Sequence, residues 1–103
     1  MKNNDLMHGL PGEALVREGL ADSQSGRCTI EACLVAMARP RLEQLGLLSS
    51  GSPIIFEPEL QLYRLLRQRP GDAYSTYNSL VRELVSFEQA LDSRQRKLAK
   101  GTG

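Results

Sequence analysis

The sequence predicts an all-α protein: a single compact domain of four to five helices, with a buried central helix at about 29–38 and a long C-terminal helix at about 73–96. Three observations point there. Apolar residues recur at helical spacing in segment after segment. Pro, Gly and Ser clusters separate those segments. The one run that resembles a strand, Ile54-Ile55-Phe56, is too short to build a sheet and has no strand partner in the chain.

Residues 1–10 carry no periodicity and are expected to form a loose N-terminal arm, with Met7, His8 and Leu10 able to touch the body. The first helix is expected to open at Pro11-Gly12-Glu13. Proline suits a first helical position, and Glu13 complements the positive end of the helix dipole. Leu15, Val16, Gly19 and Leu20 make one apolar face, with Arg17, Glu18 and Asp22 pointing away from it. Ser23-Gln24-Ser25-Gly26 ends the helix.

Thr29 is the expected N-cap of the second helix. Ile30, Cys33, Leu34 and Met37 follow the i, i+3, i+4, i+7 template, and Ala32, Val35, Ala36 and Ala38 make the remaining faces small and apolar. A helix apolar nearly all round belongs in the centre of a fold. Pro40 lacks an N–H for the carbonyl of Ala36 and disfavours helical geometry at Arg39, so a break is expected there. A short helix over Pro40–Leu45 follows, closed by Gly46 in the left-handed conformation with Leu47 reaching back toward Leu42.

Ser49-Ser50-Gly51-Ser52-Pro53 reads as a loop, and Ile54–Phe56 as an apolar strap across the helices. Pro58 to about Arg69 is the next helix, with Glu57 and Glu59 at its start and Arg64, Arg67 and Arg69 toward its end, an order matched to the dipole. Leu60, Leu62, Tyr63, Leu65 and Leu66 are its apolar face. Pro70-Gly71 stops it, and Asp72 caps the last helix. In that helix Tyr77, Leu80, Leu84, Phe87 and Leu91 are spaced 3, 4, 3, 4, and Val81 and Val85 widen the stripe. From Ala73 to Leu98 it would measure about 39 Å. A compact domain of this size has a diameter near 34 Å, so the final turns should overhang, fray or pack on another molecule. Residues 97–103 are expected to be a disordered tail.

Composition narrows the function classes. The 103 residues allow one domain, 41% are hydrophobic and 24% charged, and the net charge is +1. Such a balance gives no electrostatic reason to expect nucleic acid or a membrane as partner. The longest apolar run, Ala32 to Ala38, is far short of the roughly 20 residues that span a bilayer. No signal-like segment follows Met1, and a cytoplasmic location is expected.

The chain offers poor material for catalysis. His8 is the only imidazole, and it falls in the arm, so no base is placed beside a nucleophile. Read as two positions of one helix, Cys28 and Cys33 would lie about 8 Å apart and turned about 140° from each other. That is beyond the roughly 7 Å a disulfide bridges, so two reduced thiols are expected. No metal-ligand spacing is present. Arg27 with the free N–H groups of Thr29 and Ile30 could meet an anion, but the segment has one glycine and no phosphate-loop pattern. Glu83, Glu88 and Asp92 sit at positions that look exposed, and Asp92 and Arg96 are spaced for an i, i+4 pair. No enzyme activity, cofactor or metal is expected.

Two features suit recognition. Tyr74, Asn78 and Arg82 share one face at the polar start of the last helix, and these residue types favour interfaces. With Arg39 and Arg41 near the Pro40 break as neighbours, they make a candidate docking patch. Arg94, Arg96, Lys97 and Lys100 make a basic tail that could meet phosphates, though no aromatic residue is interleaved to stack on bases. The expectation is a non-catalytic helical interaction module, with a protein partner or a second copy. A small nucleic-acid-associated regulatory protein, drawing on that tail and on Arg64, Arg67 and Arg69, is the alternative. A small-molecule binder or enzyme with a pocket between the buried helix and the Tyr74 face comes third.

Overall fold

The computed structural model describes residues 4–102, with side chains described for 6–98. Among the described residues six helical segments follow in order: α1 (Asn4–Met7), α2 (Glu13–Gln24), α3 (Ile30–Met37), α4 (Arg39–Gln44), α5 (Pro58–Arg67) and α6 (Ala73–Thr102). No strand occurs among the described residues, and the helices form one compact globule.

The helix α3 is the centre. It packs against α2, α4, α5 and α6, and Ile30, Ala32, Cys33, Leu34 and Val35 are all buried. Thr29 caps it as the sequence predicts: its backbone is extended at φ −110°, ψ 172°, and its hydroxyl accepts a hydrogen bond from the Ala32 N–H. Pro40 produces a break. α3 ends at Met37, Ala38 leaves helical geometry at φ −97°, ψ 9°, and α4 starts afresh at Arg39 with the proline in its first turn. There the missing N–H costs nothing. At the far end of α4, Gly46 sits at φ 77°. Its N–H donates to Glu43 O and the Leu47 N–H donates to Leu42 O, the paired bonds of a Schellman cap.

The start of α2 differs from expectation. Pro11 is not at the first helical position: Gly12 is the N-cap, in the left-handed region at φ 79°, and the helix begins at Glu13. The Glu13 carboxylate reaches back to the Gly9 N–H at 2.9 Å and holds Arg17 at 2.6 Å. The Gly9 bond first, and then Arg17, pull its pKa below the ordinary carboxylate value. At Gly19 α2 and α3 approach so closely that a Cβ there would lie 2.4 Å from Glu31 O.

The N-terminal segment is not a loose arm over its described part. Met7 and Leu10 are buried in the core, α1 packs on α6, and the Arg94 guanidinium donates to the carbonyls of Leu6 and His8. Long-range contact with α6 supplies the order that local propensity lacks. Residues 1–3 lie outside the described part.

α5 buries Leu62 and Leu66 but leaves Leu60 exposed, so its apolar face is narrower than expected. It meets α6 through an edge-to-face pair, Tyr63 and Tyr77, with ring centroids 6.1 Å apart. Asp72 caps α6, accepting from the Tyr74 N–H at 3.1 Å and the Ser75 hydroxyl at 2.7 Å. The Ser75 bonds, with that of the Tyr74 N–H, hold its carboxyl below the usual range. Leu84, Phe87 and Leu91 lie in the core, whereas Val85 faces out and does not widen the stripe. α6 stays helical through Thr102 where a disordered tail from residue 97 was expected; Gly103 lies outside the described residues. At about 1.5 Å per residue its 30 residues match the longest molecular dimension, 48 Å. The stripe outruns the body, and Leu98 is 56% exposed.

Candidate functional site

The most developed surface feature lies where the α2–α3 turn faces the loop before α5. Asp22 organises the turn. The sequence reading points it to solvent, but only 6% of it is exposed. Its carboxylate accepts from the Thr29 hydroxyl at 2.7 Å and pairs with the Arg27 guanidinium at 3.0 Å. Its carbonyl accepts the Arg27 N–H across Gly26, which adopts φ 76°. The polar turn expected at 23–27 is therefore a second Schellman cap, locked to the capping residue of α3 by one buried carboxylate.

The opposing loop is held by Arg39. Its guanidinium donates to the carbonyls of Ser50, Ser52 and Pro53 at 3.0–3.1 Å, while its Nε pairs with Glu43. Side-chain capture of carbonyls replaces the strand ladder this segment cannot form. Ile55 packs inward, but Ile54 is 62% exposed and Phe56 78% exposed. The expected strap thus lies across the helices through Ile55 alone. Between turn and loop is an open cavity of about 340 Å3, lined by Arg27 and Cys28 on one side, Pro53–Phe56 on the other and Gln61 from α5. A second, more polar cavity of about 500 Å3 adjoins it, lined by Glu18, Glu31, Gln68 and Arg69 and sharing Arg27 and Cys28.

The docking patch expected from the sequence is not brought together as one surface. Tyr74 is exposed, Asn78 half-buried and Arg82 exposed, all on the first half of α6. Arg41 instead pairs with Asp92, which is 18 positions or about 27 Å along the helix from Tyr74. Arg39 is engaged with the 50–53 loop. Asp92 also holds Arg96 at 2.9 Å, the i, i+4 pair the spacing predicts. Glu88 is half-buried, and desolvation raises its pKa against the opposing pull of Arg41. In the basic tail, Arg94 ties down Leu6 and His8 and Arg96 pairs with Asp92. Lys100 lies where side chains are not described.

The two cysteines do not face apart as two positions of one helix would, because their side chains share a hydrogen bond. Cys28 precedes the N-cap, so it is not part of the helix, and the extended Thr29 backbone folds it back toward Cys33. Burial pushes the Cys33 thiol up to about 12, with the neighbouring Cys28, through charge and a side-chain hydrogen bond, adding to the shift. Cys28 is exposed and Cys33 buried, and both are free thiols.

Among the described residues, no group of three or more His, Cys, Asp and Glu is arranged to hold a metal ion. No helix of the described residues is long and apolar enough to cross a membrane. Comparison with protein families, with curated proteins and with solved structures finds no match to this chain.

The cleft was hidden from sequence reasoning because it joins residues about 30 positions apart. One signal did exist: Ile54–Phe56 is an apolar run amid turn-formers, with no periodicity to bury all of it.

Proposed function

We propose that this chain is a non-catalytic protein-interaction module whose contact surface is the Ile54–Phe56 loop and the cleft beside it. The observation that carries this reading is the pair of exposed apolar side chains, Ile54 and Phe56, on a loop whose backbone Arg39 holds at three carbonyls. A held loop loses little conformational freedom on binding, so more of the contact energy appears as affinity. Aromatic anchors beside a pocket are the usual hot spots of interfaces. The fitting partner is a protein segment that covers Phe56 and inserts an apolar side chain between it and Cys28.

Selection from a displayed peptide library, followed by calorimetry, tests the reading. Enriched peptides should share an apolar anchor. Phe56→Ser should weaken their binding about 30-fold, as expected for a hot-spot residue, while Tm stays within a few degrees because the side chain is exposed. No enriched peptide, or equal binding by the variant, would refute it. Sedimentation of the free protein covers the case in which the occupant is a second copy: self-association abolished by Phe56→Ser would make this a homodimer surface.

The cavity volume favours a second reading, since about 340 Å3 reaches the lower range of small-ligand pockets. A small apolar ligand that competes with the selected peptides would move the assignment there.

A further inference from the structure

Thr29 as N-cap makes Cys28 the residue before the cap and Cys33 the fourth residue of α3. In helix N-termini these two positions lie side by side, the geometry of the hydrophobic staple. The staple of α3 is thus built from two sulfurs. Its outer member is exposed and lines both cavities, and its inner member is sealed in the core. The cap bonds of Thr29 to Ala32 and to Asp22 fix the turn between them. The sequence contains no other cysteine, so neither thiol has a competing partner in the chain.

We propose that Cys28 and Cys33 are a dithiol–disulfide pair, with Cys28 the thiol that first attacks a small disulfide and Cys33 the resolving thiol. The Cys28 thiol loses its proton and its sulfur attacks one sulfur of a small disulfide RSSR. The S–S bond breaks, one RS⁻ leaves and takes up a proton, and Cys28 carries the mixed disulfide. The Cys33 thiol then gives up its proton and attacks the Cys28 sulfur, releasing the second RS⁻. In sum, two protein thiols lose two electrons and two protons, and RSSR is reduced to two RSH. The second step is the slower one, because the buried Cys33 is neutral at physiological pH and only thiolates attack. The product ties the α2–α3 turn to the core without unwinding α3. It also removes the exposed thiol from the wall of both cavities.

The test uses the whole protein with glutathione disulfide at pH 8.5, followed by intact mass and by mapping without reduction. The expected result is loss of two hydrogens, located to the peptide that carries both cysteines, in a protein that remains free of intermolecular links. Closing a six-residue loop should raise Tm by roughly 5–15 °C. Cys28→Ser should abolish the reaction. Cys33→Ala should accumulate the glutathione adduct on Cys28 at least tenfold above wild type at the same time point. A stable adduct on wild-type Cys28 that never converts, a disulfide-linked dimer, or no reaction at all would each overturn the proposal. The wild-type mass measurement decides it even if Cys33→Ala does not fold.

Discussion

Replacing Gly19 by alanine should destabilise this protein although alanine is the better helix former. Gly19 is buried in α2 where that helix crosses α3. An added Cβ would lie 2.4 Å from Glu31 O, 2.5 Å from the Val35 Cγ2 methyl and 2.9 Å from the Glu31 carbonyl carbon. Ordinary contact starts near 3.4 Å, so the shortest of these is about 1 Å too close. Two of the three obstacles are backbone and cannot rotate aside, and the third belongs to a fully buried valine. The helices must separate across their central contact. Alanine returns about 1 kcal/mol of helix propensity, while forced overpacking costs about 1–3 kcal/mol and sometimes more. With the strain falling on main chain the upper part of that range applies, and a net loss of about 2 kcal/mol is expected. For a domain of this size that lowers Tm by roughly 8–16 °C. Circular dichroism melts and urea titrations of wild type and Gly19→Ala measure it. Gly51→Ala is the control, since its Cβ would meet only Ser49 Oγ, at 3.7 Å. A Gly19→Ala protein as stable as wild type would show that the α2–α3 crossing is wider than described.

Three further outcomes are expected. Leu34→Ala should cost about 2–5 kcal/mol because Leu34 is buried on the central helix; a loss under about 0.5 kcal/mol, typical of surface sites, would misplace the core. Arg39→Ala frees three loop carbonyls and Glu43, so limited proteolysis should cut within residues 50–56 at least tenfold faster, while an unchanged rate would mean the loop holds itself. Raising the pH should destabilise the protein through Cys33. Its thiol titrates near 12 when folded against an ordinary value of 9.0, so the unfolded chain gives up its proton first. This contribution is intact below pH 9 and is lost, at up to about 1.4 kcal/mol per pH unit, as pH rises toward 12. Urea titrations between pH 8 and 10.5 should show a shallower slope for Cys33→Ala; equal slopes would remove Cys33 as the cause.

The sequence by itself determined what depends on near neighbours. The α3 cap at Thr29, the α6 cap at Asp72, the break before Pro40 and the Gly46 closure rest on residues a few positions apart. So does the apolar face that makes α3 central, since helical periodicity is local. The tertiary structure decided what depends on distant segments. Met7 and Leu10 became core because α6 lies beneath them, and Asp22 turned inward because Thr29 and Arg27 supply its partners. Arg39 and Arg41 left the expected patch because the carbonyls of residues 50–53 and the carboxylate of Asp92 were in reach. The cleft beside Phe56 needed the turn after α2 and the loop before α5 to face each other. Cys28 and Cys33 are an intermediate case: both are free thiols, as expected, but whether they face apart hinged on whether residue 28 was helical, and the extended residue at the cap set their side chains together. Local backbone preference acts over a turn or two of helix, whereas a buried carboxylate or a free carbonyl takes its partner from wherever the packed chain brings one.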